Sequence, residues 1–246
     1  MLASLRLVLL LSAVGCISQT RQRQAASRVD LGTAYLIEGN APSAIKTLRE
    51  ATELDPRNWN AWNKLGLATT SLGAFDEAES AYQKAISLVP ENAEVHNNYG
   101  TMLLYVGRHE DAIVEFKLAL EDLTYRKPAL VMSNLGSAYS AIDDQETAIK
   151  WLNQAIARAP NLCQARFNRG IALQSQGESP KALDDFETVI QLCGDSALGA
   201  YFQAGQILIE MNDRDSGCTY IRKVMNQATN SALGQEAADF SARECG

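Results

Sequence analysis

The sequence is poor in residues that interrupt helices and in residues that bind metals. Its 246 residues include 6 prolines, 16 glycines and 2 histidines. Because proline ends or kinks a helix, its scarcity leaves room for long helices. The two histidines, His96 and His109, are too few for an all-histidine metal site or a histidine relay. The composition therefore predicts a helical scaffold without a metal site.

Basic residues are also in the minority. Lysine and arginine number 22 against 29 aspartates and glutamates, which gives a net charge of −7. An acidic surface repels phosphate backbones, so nucleic acid is a poor candidate partner. With 46% hydrophobic and 21% charged residues, the chain can still bury a sizeable core, which argues against disorder.

A short apolar stretch lies at the amino end. Arg6 is followed by LVLLLSAV, well short of the ~20 residues that a membrane-spanning helix needs. A basic residue, a short apolar run and small residues are typical of a secretory signal. Here the small residues lead directly into a cysteine, in LSAVGC, where Cys16 is last.

This ending resembles the bacterial lipoprotein signal. The resemblance implies that residues 1–15 are removed and that Cys16 carries covalently attached lipid, including palmitate. No other attached group or cofactor is expected. The alternative is an ordinary cleaved signal that happens to abut a cysteine. Two or more acyl chains anchor a protein stably. An aspartate directly after the cysteine would favour the inner membrane. Because Ile17 stands there instead, we expect the protein at the periplasmic face of the outer membrane. Residues 16–27 are predicted to be the acylated cysteine and a polar tether.

Two series of small residues recur in phase along the chain. Six glycines are separated by 34, 34, 36, 34 and 35 residues, and a small residue follows each of them by twelve. They are Gly32, Gly66, Gly100, Gly136, Gly170 and Gly205, followed by Ala44, Ala78, Ala112, Ala148, Ala182 and Gly217. The pattern predicts pairs of antiparallel helices that cross at these small residues and are stabilised by stacking on their neighbours.

The period resembles the tetratricopeptide repeat (TPR). The resemblance implies an all-α, right-handed superhelical solenoid of six helix-turn-helix repeats with a carboxyl-terminal capping helix. The predicted boundaries are 28–227 for the repeats and 228–246 for the cap.

Four further cysteines lie in the last two repeats and the cap. An exported protein meets an oxidising compartment, so disulfides are expected. Cys163 begins the first helix of repeat five and Cys193 ends its second, so an antiparallel pair brings them together. Cys218 and Cys245 stand in the same relation one layer further on. The predicted disulfides are therefore Cys163–Cys193 and Cys218–Cys245.

No catalytic motif is evident in the sequence. Neither a nucleophile elbow, a phosphate loop nor a zinc-protease helix is present. The acidic pairs, such as Asp143-Asp144, are interpreted as solvated surface rather than as general acid–base groups. We therefore expect a protein that is not an enzyme, has no small-molecule substrate and acts by binding another protein.

Stacked first helices predict a groove for such a partner. Three asparagines each precede a repeat glycine by two residues, and their carboxamides could form a ladder that grips an extended peptide; alternatively, asparagine is simply common there. Apolar residues in the groove suggest a hydrophobic segment, although some of them can belong to the core between repeats. The predicted groove residues are Val29, Thr33, Leu36, Ile37, Leu67, Asn98, Leu104, Tyr105, Asn134 and Asn168. The groove offers chiefly one basic residue, Lys64, which disfavours a receptor for carboxylate tails.

Two stretches narrow the resemblance to one family. RVDLGTAYLIEGNAPSAIKTLREATELDP resembles the opening repeat of the type IV pilus pilotins, the PilF/PilW/Tgl-like lipoproteins. The junction NNYGTMLLYVGRHEDAIVEFKLALEDLTYRKPALVMSNLG, with its Tyr125-to-Pro128 link, is similar to the third-to-fourth repeat junction of the same family.

The resemblance implies a lipid-anchored assembly factor of the outer membrane. Its partner would be the pilus secretin, which it would help to localise and multimerise for pilus assembly and motility. The alternative is a periplasmic TPR lipoprotein that scaffolds cell-wall enzymes or outer-membrane assembly factors. The carboxyl-terminal cysteines are not explained by the family pattern and point to a subgroup.

Overall fold

The computed structural model describes the backbone of residues 2–246 and the side chains of residues 19–246. Its regular elements are all helices in this part of the chain. They are α1 (Leu2–Ile37), α2 (Ala41–Leu54), α3 (Trp59–Ser71), α4 (Phe75–Leu88), α5 (Ala93–Tyr105), α6 (His109–Glu121), α7 (Pro128–Ala141), α8 (Gln145–Arg158), α9 (Cys163–Ser175), α10 (Ser179–Cys193), α11 (Leu198–Glu210), α12 (Arg214–Gln227) and α13 (Ala232–Glu244), with a short 3₁₀ helix (Gly194–Ser196) after α10. The predicted side-chain chemistry of Cys16, and the signal that precedes it, lie outside the described side chains.

The helices form two compact units that divide between Tyr125 and Arg126. Unit 1 contains the hairpins α1/α2, α3/α4 and α5/α6. Unit 2 contains α7/α8, α9/α10 and α11/α12, followed by α13, which packs on the last hairpin. The division lies in the connection between α6 and α7, where the repeat spacing is 36 residues. The prediction of an all-helical chain of six hairpins and a final helix is confirmed.

Each hairpin is held closed around its glycine. A Cβ atom on any of the six glycines would come within 2.6–2.9 Å of a side chain 16 residues later, so a larger residue would separate the helices. The contacts are Gly32 with Leu48, Gly66 with Tyr82, Gly100 with Phe116, Gly136 with Leu152, Gly170 with Phe186, and Gly205 with Ile221. The alanines of the second series are fully buried beside these contacts. The predicted role of the small residues is therefore confirmed.

A left-handed residue reverses the chain within every hairpin. It lies seven positions after each repeat glycine, and four of the six are glycines with φ between +74° and +81°. In the fourth and sixth hairpins the position is taken by Asp143 (φ 64°) and Asn212 (φ 68°). Aspartate and asparagine tolerate this conformation better than other residues with a Cβ, so the turn is conserved in geometry without glycine.

Polar caps fix where several helices begin. Asn40, Asn58 and Asn92 each accept a hydrogen bond from the backbone N–H three residues ahead, at 3.1–3.2 Å. Asp144 and Asp213 do the same in unit 2. Each cap satisfies an N–H that has no partner within its helix, a contribution of about 1 kcal/mol.

The tether predicted for residues 16–27 is wrong from residue 19 onward. Residues 19–27 are helical and continuous with the rest of α1, and Ala25 is fully buried. Glutamine, arginine and alanine are good helix formers, and no proline or glycine lies between Ile17 and Leu31 to stop the helix. Polarity alone therefore led to the wrong interpretation of this segment.

Two disulfides lie in unit 2 and join the pairs predicted from the repeat register. Cys163 and Cys193 connect the start of α9 to the end of α10, with their Cα atoms 6.6 Å apart. Cys218 on α12 is bonded to Cys245, which follows α13, with Cα atoms 5.7 Å apart. The second bond ties the last helix to the hairpin on which it packs.

Candidate partner-binding surface

The first helices of unit 1 expose large apolar side chains. Ile37 at the end of α1 is 83% exposed, Tyr105 at the end of α5 is 76% exposed, and Leu67 on α3 is 38% exposed. Relative to the repeat glycine, Leu67 occupies position +1 and the other two occupy position +5. Positions +1 and +5 lie on one face of a helix, and α3 packs next to both α1 and α5. We refer to Ile37, Leu67 and Tyr105 as the unit 1 apolar face.

An aromatic contact supports this face at one end. The ring of Tyr105 lies 5.6 Å from the ring of Phe75, which begins α4, in a tilted arrangement. Aromatic pairs at this separation contribute about 0.5–1.5 kcal/mol beyond area burial. Phe75 therefore limits the positions available to the exposed tyrosine, so that its ring is partly ordered before any partner arrives.

Other predicted groove residues belong to the core of unit 1 instead. Val29 is only 4% exposed and packs with Ile45 and Leu48, so its predicted place in an open groove is wrong. Leu36 is half-buried against the same cluster, and Leu104 is half-buried as well. The reason is that each first helix must cover the next hairpin as well as face outward, and sequence spacing alone does not separate these two faces.

Thr33 is half-buried and bonded within its own helix. Its Oγ1 donates to the carbonyl oxygen of Val29 at 2.8 Å. This i to i−4 hydrogen bond satisfies the hydroxyl inside α1. The hydroxyl hydrogen of Thr33 is therefore occupied within α1.

The predicted asparagine ladder connects first helices to each other. In unit 1, Asn98 Nδ2 donates to Asn63 Oδ1 at 3.0 Å. In unit 2, Asn168 Nδ2 donates to Ser137 Oγ at 2.6 Å and to Ser133 Oγ at 3.3 Å. These bonds set the spacing of neighbouring hairpins and occupy amide hydrogens that were predicted to hold a peptide.

Asn134 is buried rather than displayed in a groove. It is 8% exposed and accepts a hydrogen bond from Gln164 Nε2 at 3.0 Å. Its predicted exposure is therefore wrong, because the next hairpin covers it.

Lys64 is already paired. Its Nζ lies 2.7 Å from Oε1 of Glu94, which also accepts from Asn63 Nδ2 at 3.3 Å. Both partners lie on first helices, α3 and α5, so the ion pair links two hairpins of unit 1. With its charge neutralised in this way, Lys64 is a poor receptor for a free carboxylate, in agreement with the sequence interpretation.

His96 forms an ion pair that the sequence did not reveal. It is buried, as its repeat position indicates, but Nδ1 lies 2.6 Å from Glu115 Oε2 and Nε2 lies 2.8 Å from the carbonyl oxygen of Pro90. Burial opposes the charged form, but the hydrogen bonds to Glu115 and Pro90 and the negative charges of Glu115 and Glu121 outweigh it and raise the pKa of His96. The signal was hidden because Glu115 lies 19 residues away on the partner helix.

The described residues contain no cluster of three or more histidine, cysteine or acidic side chains that could hold a metal ion. In the same part of the chain, no helix has both the length and the apolar character needed to cross a bilayer.

Comparison with known proteins identifies the type of repeat that these hairpins form. Sequence profiles described as tetratricopeptide repeat match residues 29–93, 91–161 and 198–230. The chain is a TPR protein, and the glycine contacts described above are the basis of its hairpin packing.

Two bacterial proteins are similar in sequence over long segments. The type IV pilus assembly protein PilF of Pseudomonas aeruginosa is 24% identical over 228 residues, which cover 89% of this chain and 90% of PilF. An uncharacterized protein of Haemophilus influenzae is 31% identical over 132 residues, or 51% of this chain and 74% of that protein.

Two solved structures share the fold over most of the chain. The structure of Pseudomonas aeruginosa PilF superposes with a TM-score of 0.76 at 24% identity, covering 91% of this chain and 99% of that one. The crystal structure of PilW, a widely conserved type IV pilus biogenesis factor, gives 0.79 at 20% identity, covering 87% and 98%. The chain therefore belongs to the tetratricopeptide repeat family and shares its fold with PilF and PilW.

Proposed function

We propose that this chain is a pilotin, an outer-membrane lipoprotein that binds the type IV pilus secretin. It promotes secretin localisation and multimerisation, and hence pilus assembly and pilus-dependent motility. The observation that carries the proposal is the unit 1 apolar face on a chain homologous to PilF and PilW. Binding through such a surface needs no catalytic group, so the proposed role is non-enzymatic.

The exposure of this face supports a protein partner. Exposing large apolar side chains such as Ile37 and Tyr105 to water is unfavourable, and exposed apolar surface of this kind marks interaction sites. Burial of such a side chain contributes about 1.5–3 kcal/mol. An apolar segment of the secretin laid across α1, α3 and α5 would cover all three residues.

A lipid on Cys16 would hold unit 1 close to the membrane. Among the described side chains, the first buried one is that of Ala25, nine residues after Cys16. Even a fully extended chain of nine residues spans at most about 30 Å. The proposed anchor therefore presents the first hairpin near the membrane in which the secretin assembles.

The anchor is tested by Cys16→Ala. This variant should leave the membrane fraction of fractionated cells, whereas Cys163→Ser, which removes a cysteine from unit 2, should remain in it. A Cys16→Ala protein that stays in the outer membrane would contradict the lipid anchor.

The partner is tested by co-purification. The double variant Ile37→Asp with Tyr105→Asp should lose secretin multimers, because two charges would be buried in the interface. Leu36 is left unchanged because it packs against the core. The matched control is Val114→Asp on the second helix α6, where the side chain is 55% exposed. Secretin capture that survives the double variant would move the site elsewhere on the chain.

A further inference from the structure

Two clefts lie at equivalent places in successive hairpins, one in each unit. Each lies where the end of a second helix approaches the start of the first helix. The unit 1 cleft is lined by Pro90, Glu91, Leu118, Glu121, Asp122 and Leu123, with a volume of about 500 Å³. The unit 2 cleft is lined by Arg126, Lys127, Pro128, Ala129, Leu130, Arg158, Ala159 and Leu162, with a volume of about 520 Å³.

The charge of the cleft is reversed between the two hairpins. Glu91 and Lys127 are 36 residues apart, which is the spacing of the repeat glycines here, and so are Asp122 and Arg158. Each pair therefore occupies one repeat position with opposite charge. Because the hairpin fold accommodates either sign, its stability does not require the basic residues of unit 2.

The unit 2 cleft combines an apolar floor with a basic rim. Ala129 is buried and Leu130 and Leu162 are half-buried, while the three cations of the rim are exposed. Within the described residues, no ion pair joins Arg126, Lys127 or Arg158 to an acidic side chain. Three cations around one cleft stand out in a chain with a net charge of −7. The rim therefore presents positive charge that no ion pair neutralises within the described residues.

We propose that the unit 2 cleft binds a peptide segment in which carboxylates flank one bulky apolar side chain. The apolar side chain enters between Leu130 and Leu162, and the carboxylates pair with Lys127 and Arg158. The cleft volume falls within the roughly 300–1,000 Å³ of ligand pockets. This second docking surface goes beyond the proposed function, which rests on the apolar face of unit 1.

The shape and charge favour a peptide over a membrane surface. Lipid headgroups are held by clusters of about 4–8 lysines and arginines on an open surface. This rim has three cations, and the chain as a whole has a net charge of −7. A concave cleft with an apolar floor fits a single side chain better than a plane of headgroups.

The test measures binding of a short dye-labelled peptide, in which aspartates flank one phenylalanine, to the mature chain by fluorescence anisotropy. The cleft variant is Lys127→Glu with Arg158→Asp, which gives unit 2 the charges that unit 1 carries at the same positions. It should bind at least about tenfold more weakly, or about 1.4 kcal/mol. The control, Arg214→Glu with Arg222→Asp, changes the net charge equally at exposed residues of α12 and should stay within about twofold of the parent.

Other outcomes would overturn the proposal. The parent chain could show no measurable binding of the peptide. The cleft variant and the control could lose equal amounts of peptide affinity. Peptide binding could also stay unchanged when alanine replaces the phenylalanine of the peptide. A fourth is binding of phosphatidylglycerol vesicles that is lost in the cleft variant while peptide binding persists, which would assign the rim to a membrane. Loss of the apolar face by Ile37→Asp with Tyr105→Asp should leave peptide binding unchanged, so the two proposals fail separately.

Discussion

Glu115 reaches His96 from the second helix of the same hairpin, and its Oε2 lies 2.6 Å from Nδ1 of the imidazole. Because Nε2 faces the carbonyl oxygen of Pro90, both ring nitrogens face acceptors. A neutral imidazole has only one N–H, whereas the charged ring donates from both nitrogens. The geometry therefore favours protonated His96.

The stability of unit 1 should fall as the pH rises. The pKa of His96 is raised in the fold, so its contribution is fully present below the pKa of the unfolded chain, about 6.5, and is lost as the pH rises through the folded pKa. Urea unfolding between about pH 6 and 8 should show a decreasing free energy of unfolding. Glu115→Gln should flatten this dependence and His109→Gln should not. A parent protein whose stability is constant or increases over this range would contradict the assignment.

The glycine contacts should be intolerant of a methyl group. In Gly170→Ala the new Cβ would lie 2.6 Å from Cε1 of Phe186, and overpacking of this kind costs about 1–3 kcal/mol. Thermal unfolding measures the loss. In a Phe186→Ala background, where the ring is absent, adding Gly170→Ala should cost much less; equal costs in both backgrounds would show that the ring contact is not the reason.

The buried carboxylate of Asp185 should depend on its arginine. Asp185 is 3% exposed, and Arg169 donates to both of its oxygens at 2.6 and 2.7 Å. Arg169→Leu removes both hydrogen bonds to the buried carboxylate and leaves only Arg166, whose Nη1 lies 3.8 Å from Oδ1. It should cost about 3 kcal/mol, the lower end for a broken buried pair, because Arg169 is partly exposed and Arg166 remains. Removing both charges, with Asp185→Leu added, should cost less than the single change. A double variant less stable than Arg169→Leu alone would contradict this explanation, because the cost would then not come from the charge of Asp185.

The two disulfides should stabilise unit 2 independently. They join residues 30 and 27 positions apart, and loops of this length correspond to roughly 3–4 kcal/mol each in the chain-entropy model. Peptide mapping without reduction should recover Cys163 with Cys193 and Cys218 with Cys245. Recovery of Cys193 linked to Cys218 would contradict the fold of the last two hairpins.

The repeat period was sufficient to predict the hairpins and the cysteine pairs. Gly100 and Ala112, for example, follow from small residues recurring in phase, because helix crossings demand them at fixed places. The cap that Asp144 provides for α8 and the left-handed turn at Asp143 are local effects that short sequence patterns could also have indicated.

The face of each first helix was harder to predict. Val29 and Ile37 are both apolar residues of α1, yet one is buried and the other is 83% exposed. Which of them faces water depends on how the next hairpin packs, and that is a tertiary property. The pairing of His96 with Glu115 was missed for the same reason, since it joins two helices across a turn.

Photo-crosslinking in native envelopes tests the central claim most directly. A photoreactive residue at position 37, on the unit 1 apolar face, should form an adduct with the type IV pilus secretin, and the same residue at position 114 on α6 should not. Secretin adducts from position 114 alone, or the absence of a secretin adduct at position 37, would contradict binding through the unit 1 apolar face.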